Sequence, residues 1–108
     1  MRIVVVGSGG VGDAVARIAA GRSFFELMVV ADQDLARAER TVTAAAGRDV
    51  VGGRFVAAQV DASSAAAVTE LAREHGATHV LNAVDPRFVM PVFEGTFAAG
   101  AHYLDMAM

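Results

Sequence analysis

Three glycines and one acid carry most of the chemical information in this sequence. Gly7, Gly9 and Gly12 fall in the string Gly7-Ser8-Gly9-Gly10-Val11-Gly12, a G-x-G-x-x-G spacing, and Asp32 stands 20 residues beyond the last of them. Glycine tolerates left-handed turns and leaves its backbone open to close approach. In this spacing each has its own task. Gly7 permits a tight turn, Gly9 lets a pyrophosphate approach the backbone without a Cβ in the way, and Gly12 lets a following helix pack closely on a sheet. The pyrophosphate would then rest on free amides at the helix start, where the dipole favours negative charge and no basic side chain is needed. Asp32, with Gln33 beside it, closes the apolar run Val29-Val30-Ala31. A carboxylate there can accept hydrogen bonds from an adenosine ribose and repels a 2′-phosphate, which favours NAD over NADP. Arg37 and Arg40 lie within two helical turns of it and can reach a 2′-phosphate if Asp32 turns away. The blander alternatives are an ordinary strand-to-helix turn for the glycines and a helix N-cap for Asp32.

The functional reading requires that the glycine string join a strand to a helix, and the flanking residues predict this. Ile3 to Val6 is an unbroken β-branched run, suited to a strand buried on both faces. Val11, Ala14, Val15, Ile18 and Ala19 then recur at helical spacing as one apolar stripe, which Gly21 can end in the left-handed conformation. A second unit follows, with Leu27 to Ala31 as a strand and Asp34 as N-cap of a helix carrying Leu35, Ala38, Val42 and Ala45 up to Gly47. Arg48 to Gly53 reads as a loop and Phe55 to Val60 as a third strand. Ser63 can cap a helix with Val68, Leu71 and Ala72 inward, ended by Gly76, and Thr78 to Leu81 makes a short fourth strand. Pro86 opens a turn. Pro91 suits the first turn of a fourth helix with Val92, Phe93, Thr96 and Phe97 as its buried stripe, Gly100 ends it, and His102 to Asp105 is a fifth strand. Strands alternating with helices, joined by right-handed crossovers, predict a Rossmann-like α/β fold: a doubly wound parallel sheet in the order 3-2-1-4-5 with helices on both faces.

In such sheets ligands lie outside the carboxyl ends of the strands at the switch point, here between the first and fourth strands. Asp61, closing strand three, can approach an adenine, or it can merely support the Ser63 cap. Asn82, closing strand four, can approach the phosphates or the nicotinamide ribose, or it can merely satisfy loop amides. Asp85, before Pro86, is most simply a turn residue, and Asp105 has no nucleophile or base to join. His75 and His79 are separated by Gly76, so no continuous helix presents them as a metal pair; His75 suits a helix C-terminus. The five Met read as core filler.

Composition narrows the alternatives. At 108 residues the chain is one small domain or a piece of a larger protein, and 55% hydrophobic against 19% charged residues is a folding composition. Mean hydropathy is +0.45, but the apolar blocks are too short for a membrane span. There is no Cys, which removes thiolate metal sites and cysteine nucleophiles and fits a reducing compartment. All nine basic residues are Arg; without Lys there is neither a Walker A loop nor a Schiff-base lysine. The net charge of -3, with no basic stripe, argues against nucleic acid. With no h-region at the N-terminus, the expected location is the cytoplasm.

The strings MRIVVVGSGGVG, VVADQD, QVDAS, LNAVDP and AGAHYLDMAM together resemble the N-terminal NAD(P)-binding domain of the saccharopine dehydrogenase family. The Asn-Ala-x-x-Pro turn and the Ala-Gly-x-His-Tyr-x-Asp segment are its more specific parts. The resemblance implies an oxidoreductase that transfers hydride between NAD(P) and an amino acid. It places Gly7, Gly9, Gly10, Val11 and Gly12 at the pyrophosphate, Asp32 at the adenosine ribose, Asp61 at the adenine, and Asn82 with Ala83 on the nicotinamide side. It also implies a C-terminal substrate domain outside this chain, so that no turnover is expected from these residues alone, and apolar surface left open after Asp105, from which self-association is expected. The competing class is a nucleotide-sensing regulatory domain of the potassium-uptake type, which shares the glycine loop and the acid after strand two. A methyltransferase using S-adenosylmethionine is a third option, though it needs no narrow approach to a pyrophosphate. A short-chain dehydrogenase is disfavoured, because there is no Lys for its Tyr-x-x-x-Lys pair.

Overall fold

The computed structural model describes residues 1–105; Met106, Ala107 and Met108 lie outside the described residues. Five strands, β1 (Arg2–Val6), β2 (Leu27–Asp32), β3 (Phe55–Gln59), β4 (His79–Asn82) and β5 (His102–Asp105), alternate with four helices, α1 (Gly10–Ala19), α2 (Leu35–Ala46), α3 (Ala65–Glu74) and α4 (Val89–Ala98). The sheet is wholly parallel in the order β3-β2-β1-β4-β5. Val4 sits in register between Val29 and Val80, so the central strands present matching β-branched surfaces. Successive residues of a strand face opposite ways. Ile3, Val5, Met28, Val30 and Phe55 therefore pack with Ala16, Ala19, Ala38 and Ala45 of α1 and α2, while Val4, Val6, Val29, Ala31 and Val80 pack with Val68, Leu71, Ala72 and Val92 of α3 and α4. This gives helices on both faces and two apolar layers, as the β-branched runs predict. Among the described residues no helix is long and apolar enough to cross a membrane.

Several local expectations are corrected. Of the expected α1 stripe Ala19 is buried and Val15 half-buried, but Val11, Ala14 and Ile18 are exposed, Ile18 at 65%, and the buried face is Gly12, Ala16 and Ala19. The reason is steric. A Cβ on Gly12 would lie 1.8 Å from the Gly7 carbonyl oxygen, so α1 approaches the sheet too closely for anything but small residues, and its large side chains turn outward. The same holds at α4, where a Cβ on Gly95 would lie 2.6 Å from the Ala65 carbonyl oxygen. Val92, Gly95 and Thr96 face inward, whereas Phe93 and Phe97 are exposed, with Phe97 stacked on Phe93. In α2, Leu35 is exposed and Thr41 is buried, donating its hydroxyl to Asp13 of α1 at 2.7 Å.

Asp34 caps α2 as expected, but α3 is capped by Ser64, whose hydroxyl accepts from the Ala67 amide, rather than by Ser63. Gly76 and Gly100 are left-handed, whereas Gly21 is not and Gly47 closes α2 in the right-handed region at φ -67. Of the described Met residues only Met28 fills the core, since Met1 and Met90 are exposed. The loop at 48–53 is pinned by a buried ion pair. Arg54 donates from Nη2 and Nε to Asp49 at 2.7 and 2.8 Å, reaches the Ala20 and Phe25 carbonyls, and lies 3.9 Å from the Phe25 ring centre. His75 closes α3 and its carbonyl accepts from Arg2 Nε, while His79 pairs with His102 on the neighbouring strand, ring centres 5.0 Å apart. Burial, and then the nearby His102 charge, push the His79 imidazole below its ordinary pKa.

Candidate functional site

A cleft of about 330 Å³ opens at the carboxyl ends of β1, β2 and β4, where the strand order reverses. Gly7 and Gly9 form one wall, Asp32, Gln33 and Arg37 another, and Asp61, Ala83, Val84 and Phe88 close the remainder. The sequence locates this cleft because each strand stops where a glycine, an acid or a turn residue replaces the apolar run. A second open groove of about 350 Å³ shares Gln33, Val60 and Asp61 with it and extends along α3 to Glu70 and Glu74.

The three glycines of the loop separate by structural cause. Gly7 has φ +104, and a Cβ there would lie 2.5 Å from Val84 Cγ1, so both conformation and packing demand glycine. Gly12 is demanded by packing alone. Gly9 is demanded by neither. Its backbone is extended at φ -71 and ψ -161, a Cβ on it would meet nothing within 4 Å, and it lines the cleft. Gly9 is also the N-cap of α1 and has no side chain to accept from the first-turn amides of Gly10, Val11 and Gly12. The helix thus presents uncapped donors and the positive end of its dipole at this position. Such an arrangement fits an anionic ligand approaching the backbone closely, and a dinucleotide pyrophosphate fits that description.

Asp32 is buried, and its carboxylate is already engaged. Oδ2 accepts from the Ser8 amide at 2.9 Å and the Ser8 hydroxyl at 2.8 Å, and Oδ1 accepts from the Asp34 amide at 2.9 Å. Arg37 Nη1 stands 3.9 Å from Oδ2. Burial alone would raise the Asp32 pKa, but the Asp34 and Ser8 amides, the Ser8 hydroxyl and the Arg37 charge outweigh it and hold the carboxyl below its ordinary range. Asp32 therefore stays ionised at neutral pH and ties the end of β2 to the glycine loop. Arg40 does not line the cleft, whereas Arg37 does.

The other sequence candidates are placed as follows. Asp61 lines the cleft and accepts from both the amide and the hydroxyl of Ser63, which hold its carboxyl below the usual range. Asn82 is fully buried beneath the cleft: its Oδ1 accepts from the Val84 amide at 3.1 Å, and its Nδ2 donates to the Tyr103 hydroxyl at 3.1 Å. Tyr103 in turn donates to Asp105 Oδ2 at 2.7 Å. Burial, then the Asp105 hydrogen bond, raise the Tyr103 pKa, so the phenol remains a donor. Ala83 and Val84, held by this chain of bonds, line the cleft directly. Asp85 accepts from the Arg87 amide at the start of a 3-10 turn over Pro86–Phe88.

The sequence pattern brought together Gly7, Gly9, Asp32, Gln33, Asp61 and Ala83 at one cleft. It did not single out Ser8, Val84 or Phe88. Ser8 occupies an x position of the glycine motif, and its bond to Asp32 spans 24 residues, a contact that no local spacing predicts.

Comparison with known proteins agrees with this geometry. A family model described as the saccharopine dehydrogenase NADP binding domain matches residues 3–108. No curated protein matches the chain. Among solved structures, the apo saccharopine dehydrogenase (L-Glu forming) from Saccharomyces cerevisiae superposes with a TM-score of 0.80 at 17% identity, covering 99% of this chain and 22% of that one. A quinate dehydrogenase from Corynebacterium glutamicum, solved in complex with NAD, superposes with a TM-score of 0.64 at 22% identity, covering 95% of this chain and 43% of that one. At these identities the likeness concerns the fold. The chain spans less than half the length of either structure.

Proposed function

The chain belongs to the saccharopine dehydrogenase NADP binding domain family, and on that premise we propose that it is the dinucleotide-binding part of a larger oxidoreductase, binding NAD in preference to NADP and serving an amino acid substrate. The observation that carries this reading is Gly9, a glycine that neither its dihedrals nor its packing requires and that lies open on the cleft at an uncapped helix start. Gly7, Gly9, Gly10, Val11 and Gly12 would cradle the pyrophosphate. Asp32, with Gln33, would take the adenosine ribose, and Asp61 would stand at the adenine end. Ala83 would border the nicotinamide side, with Asn82 acting from beneath by holding the Val84 amide. The preference for NAD rests on the ionised Asp32, which accepts hydrogen bonds from ribose hydroxyls and opposes a 2′-phosphate.

When bound, the dinucleotide supplies a hydride donor or acceptor. This chain's residues hold and orient it. The substrate-binding and catalytic groups belong in this reading to a second domain, so the chain alone binds cofactor without turnover. The reading includes a cytoplasmic setting and self-association of the chain. Titration with NAD, NADP and S-adenosylmethionine by calorimetry, with Asp32→Ala alongside, tests it. NAD binding that weakens about tenfold or more on loss of Asp32 is expected; binding of S-adenosylmethionine alone, or of none of the three, refutes it.

A further inference from the structure

Resting on the dinucleotide reading above, we infer that Tyr103 is a positioning residue for the half of the cofactor that carries the nicotinamide. From the edge strand β5 it fixes the Asn82 amide and, through it, the Val84 end of the cleft wall, and it leaves the adenosine half alone.

Strand order divides the cleft in two. The glycine loop follows β1, so a pyrophosphate on the α1 amides lies over the middle of the sheet. Asp32, Gln33 and Asp61, at or just beyond the ends of β2 and β3, border it on one side, and Ala83, Val84 and Phe88, after β4, border it on the other. A dinucleotide whose adenosine takes the first side therefore lays its nicotinamide half against the second. That second wall is held unevenly. The Ala83 amide donates to the Val6 carbonyl at 2.9 Å and so continues the sheet, whereas the Val84 amide donates to the Asn82 side chain at 3.1 Å. The set of the Val84 peptide thus depends on which way round the Asn82 amide is turned.

Tyr103 and Asp105 decide that orientation. Asn82 is in register with Asp105, and Tyr103 lies two residues earlier on β5, so all three share one face of the sheet. A carboxylate only accepts, and Asp105 Oδ2 takes the Tyr103 hydroxyl proton at 2.7 Å. The Tyr103 oxygen is left as an acceptor and receives Asn82 Nδ2 at 3.1 Å. With its NH2 committed there, the Asn82 amide presents Oδ1 to Val84. Turned the other way, it would set its NH2 against the Val84 N–H. Asn82 is fully buried, so loss of the Tyr103 oxygen leaves Nδ2 a buried donor without that acceptor. The Tyr103 ring is itself fixed, edge-on to Phe93 of α4 with ring centres 5.4 Å apart. None of the three side chains lines the cleft, and Tyr103 reaches a ligand only through Asn82 and Val84.

The test is calorimetric titration of the whole chain with NAD and with ADP, for the native protein, Tyr103→Phe and Asp105→Asn. ADP carries the adenosine and the two phosphates but no nicotinamide riboside. The native chain binds NAD more tightly than ADP. In Tyr103→Phe, which keeps the ring against Phe93, NAD affinity falls about three- to tenfold, the worth of one hydrogen bond, while ADP affinity stays within about twofold. Asp105→Asn moves NAD in the same sense by about threefold, because an amide can donate to Tyr103 as well as accept and no longer fixes the direction. Its side chain is at an exposed position, so it carries the decision should Tyr103→Phe fail to fold. Amide hydrogen exchange in the unliganded protein is a second readout. The Val84 amide exchanges faster in Tyr103→Phe, and the Gly7 amide, bonded to the Ala31 carbonyl at 2.7 Å, does not. If NAD and ADP weaken together, Tyr103 only supports the fold and the inference is overturned. It is also overturned if the ratio of the two affinities stays within about twofold of native in the variants, or if the native chain binds NAD no better than ADP. In each of these cases NAD still binds and the dinucleotide reading stands. If the native protein binds neither, the dinucleotide reading itself fails and this inference with it.

Discussion

Replacing Gly9 by alanine separates what the glycine loop does for the fold from what it does for a ligand. Gly9 has an extended backbone that alanine adopts freely, and its new Cβ would meet nothing within 4 Å. Two small effects oppose each other. Restricting the unfolded chain stabilises by about 0.4–1 kcal/mol, while alanine is a poorer N-cap than glycine by a similar amount. The net change should stay within about 1 kcal/mol, or roughly 8 °C in Tm for a chain of this size. Binding should respond quite differently. A methyl group at the point of closest approach pushes a pyrophosphate off the first-turn amides, and one lost charge-assisted hydrogen bond is worth about 1.5–3 kcal/mol. NAD affinity should therefore fall about ten- to a hundredfold. Gly12→Ala is the control with the opposite signature. Its Cβ would lie 1.8 Å from the Gly7 carbonyl oxygen, so α1 must move off the sheet. The loss should be about 3 kcal/mol or more, against a total stability of about 5–15 kcal/mol. Thermal unfolding and calorimetry on both variants decide the matter. If Gly9→Ala binds NAD as the native chain does, or if it unfolds as readily as Gly12→Ala, the argument from Gly9 is wrong.

Three further outcomes are expected. Asp49→Asn should destabilise by about 3 kcal/mol or more in a denaturant titration, because it leaves the Arg54 guanidinium buried without its partner. Burial would raise the Asp49 pKa, but the Arg54 hydrogen bond and the amides of Gly52, Arg54 and Val51 hold it far below the ordinary value. Its contribution is thus fully present above about pH 4, the unfolded-state value, and is lost as pH falls towards the lower folded value; a native chain whose stability is flat from pH 5 to about pH 2 would contradict this. Gly95→Ala should cost about 2 kcal/mol or more, read as a lower Tm, because its Cβ would lie 2.6 Å from the Ala65 carbonyl oxygen and 2.7 Å from Val68 Cβ, forcing α3 and α4 apart. Sedimentation over a concentration series should show self-association through the exposed stripe Met90, Phe93 and Phe97, weakened by Phe97→Glu; a strictly monomeric native chain at high concentration would count against it.

Much of the site was readable in one dimension because its parts are local. A strand that ends in glycines and opens a helix needs only the six residues from Gly7 to Gly12, and an acid at a strand end needs only its own β-branched run. Alternation and right-handed crossovers point to a doubly wound parallel sheet without particular contacts, and the order 3-2-1 is the one that goes with a glycine fingerprint after the first strand. The sequence therefore determined the elements and the end of the sheet at which the cleft opens.

Tertiary structure decided which way the helices face and which atoms of the site are already spent. The stripe through Val11 and Ile18 is a good helical pattern, yet the approach of Gly12 to Gly7 turns it outward, because interpenetration of two backbones outranks burial of two aliphatic side chains. Phe93 and Phe97 are turned out by Gly95 in the same way. Ser8 reads as an arbitrary residue between glycines until the fold brings it 2.8 Å from Asp32. Asn82 reads equally as a ligand contact or as a partner for loop amides, and the fold shows it buried and accepting from the Val84 amide. Periodicity reports the chemistry along one segment, whereas a close backbone approach or a spent acceptor is a property of two segments far apart in the chain, and only their packing settles it.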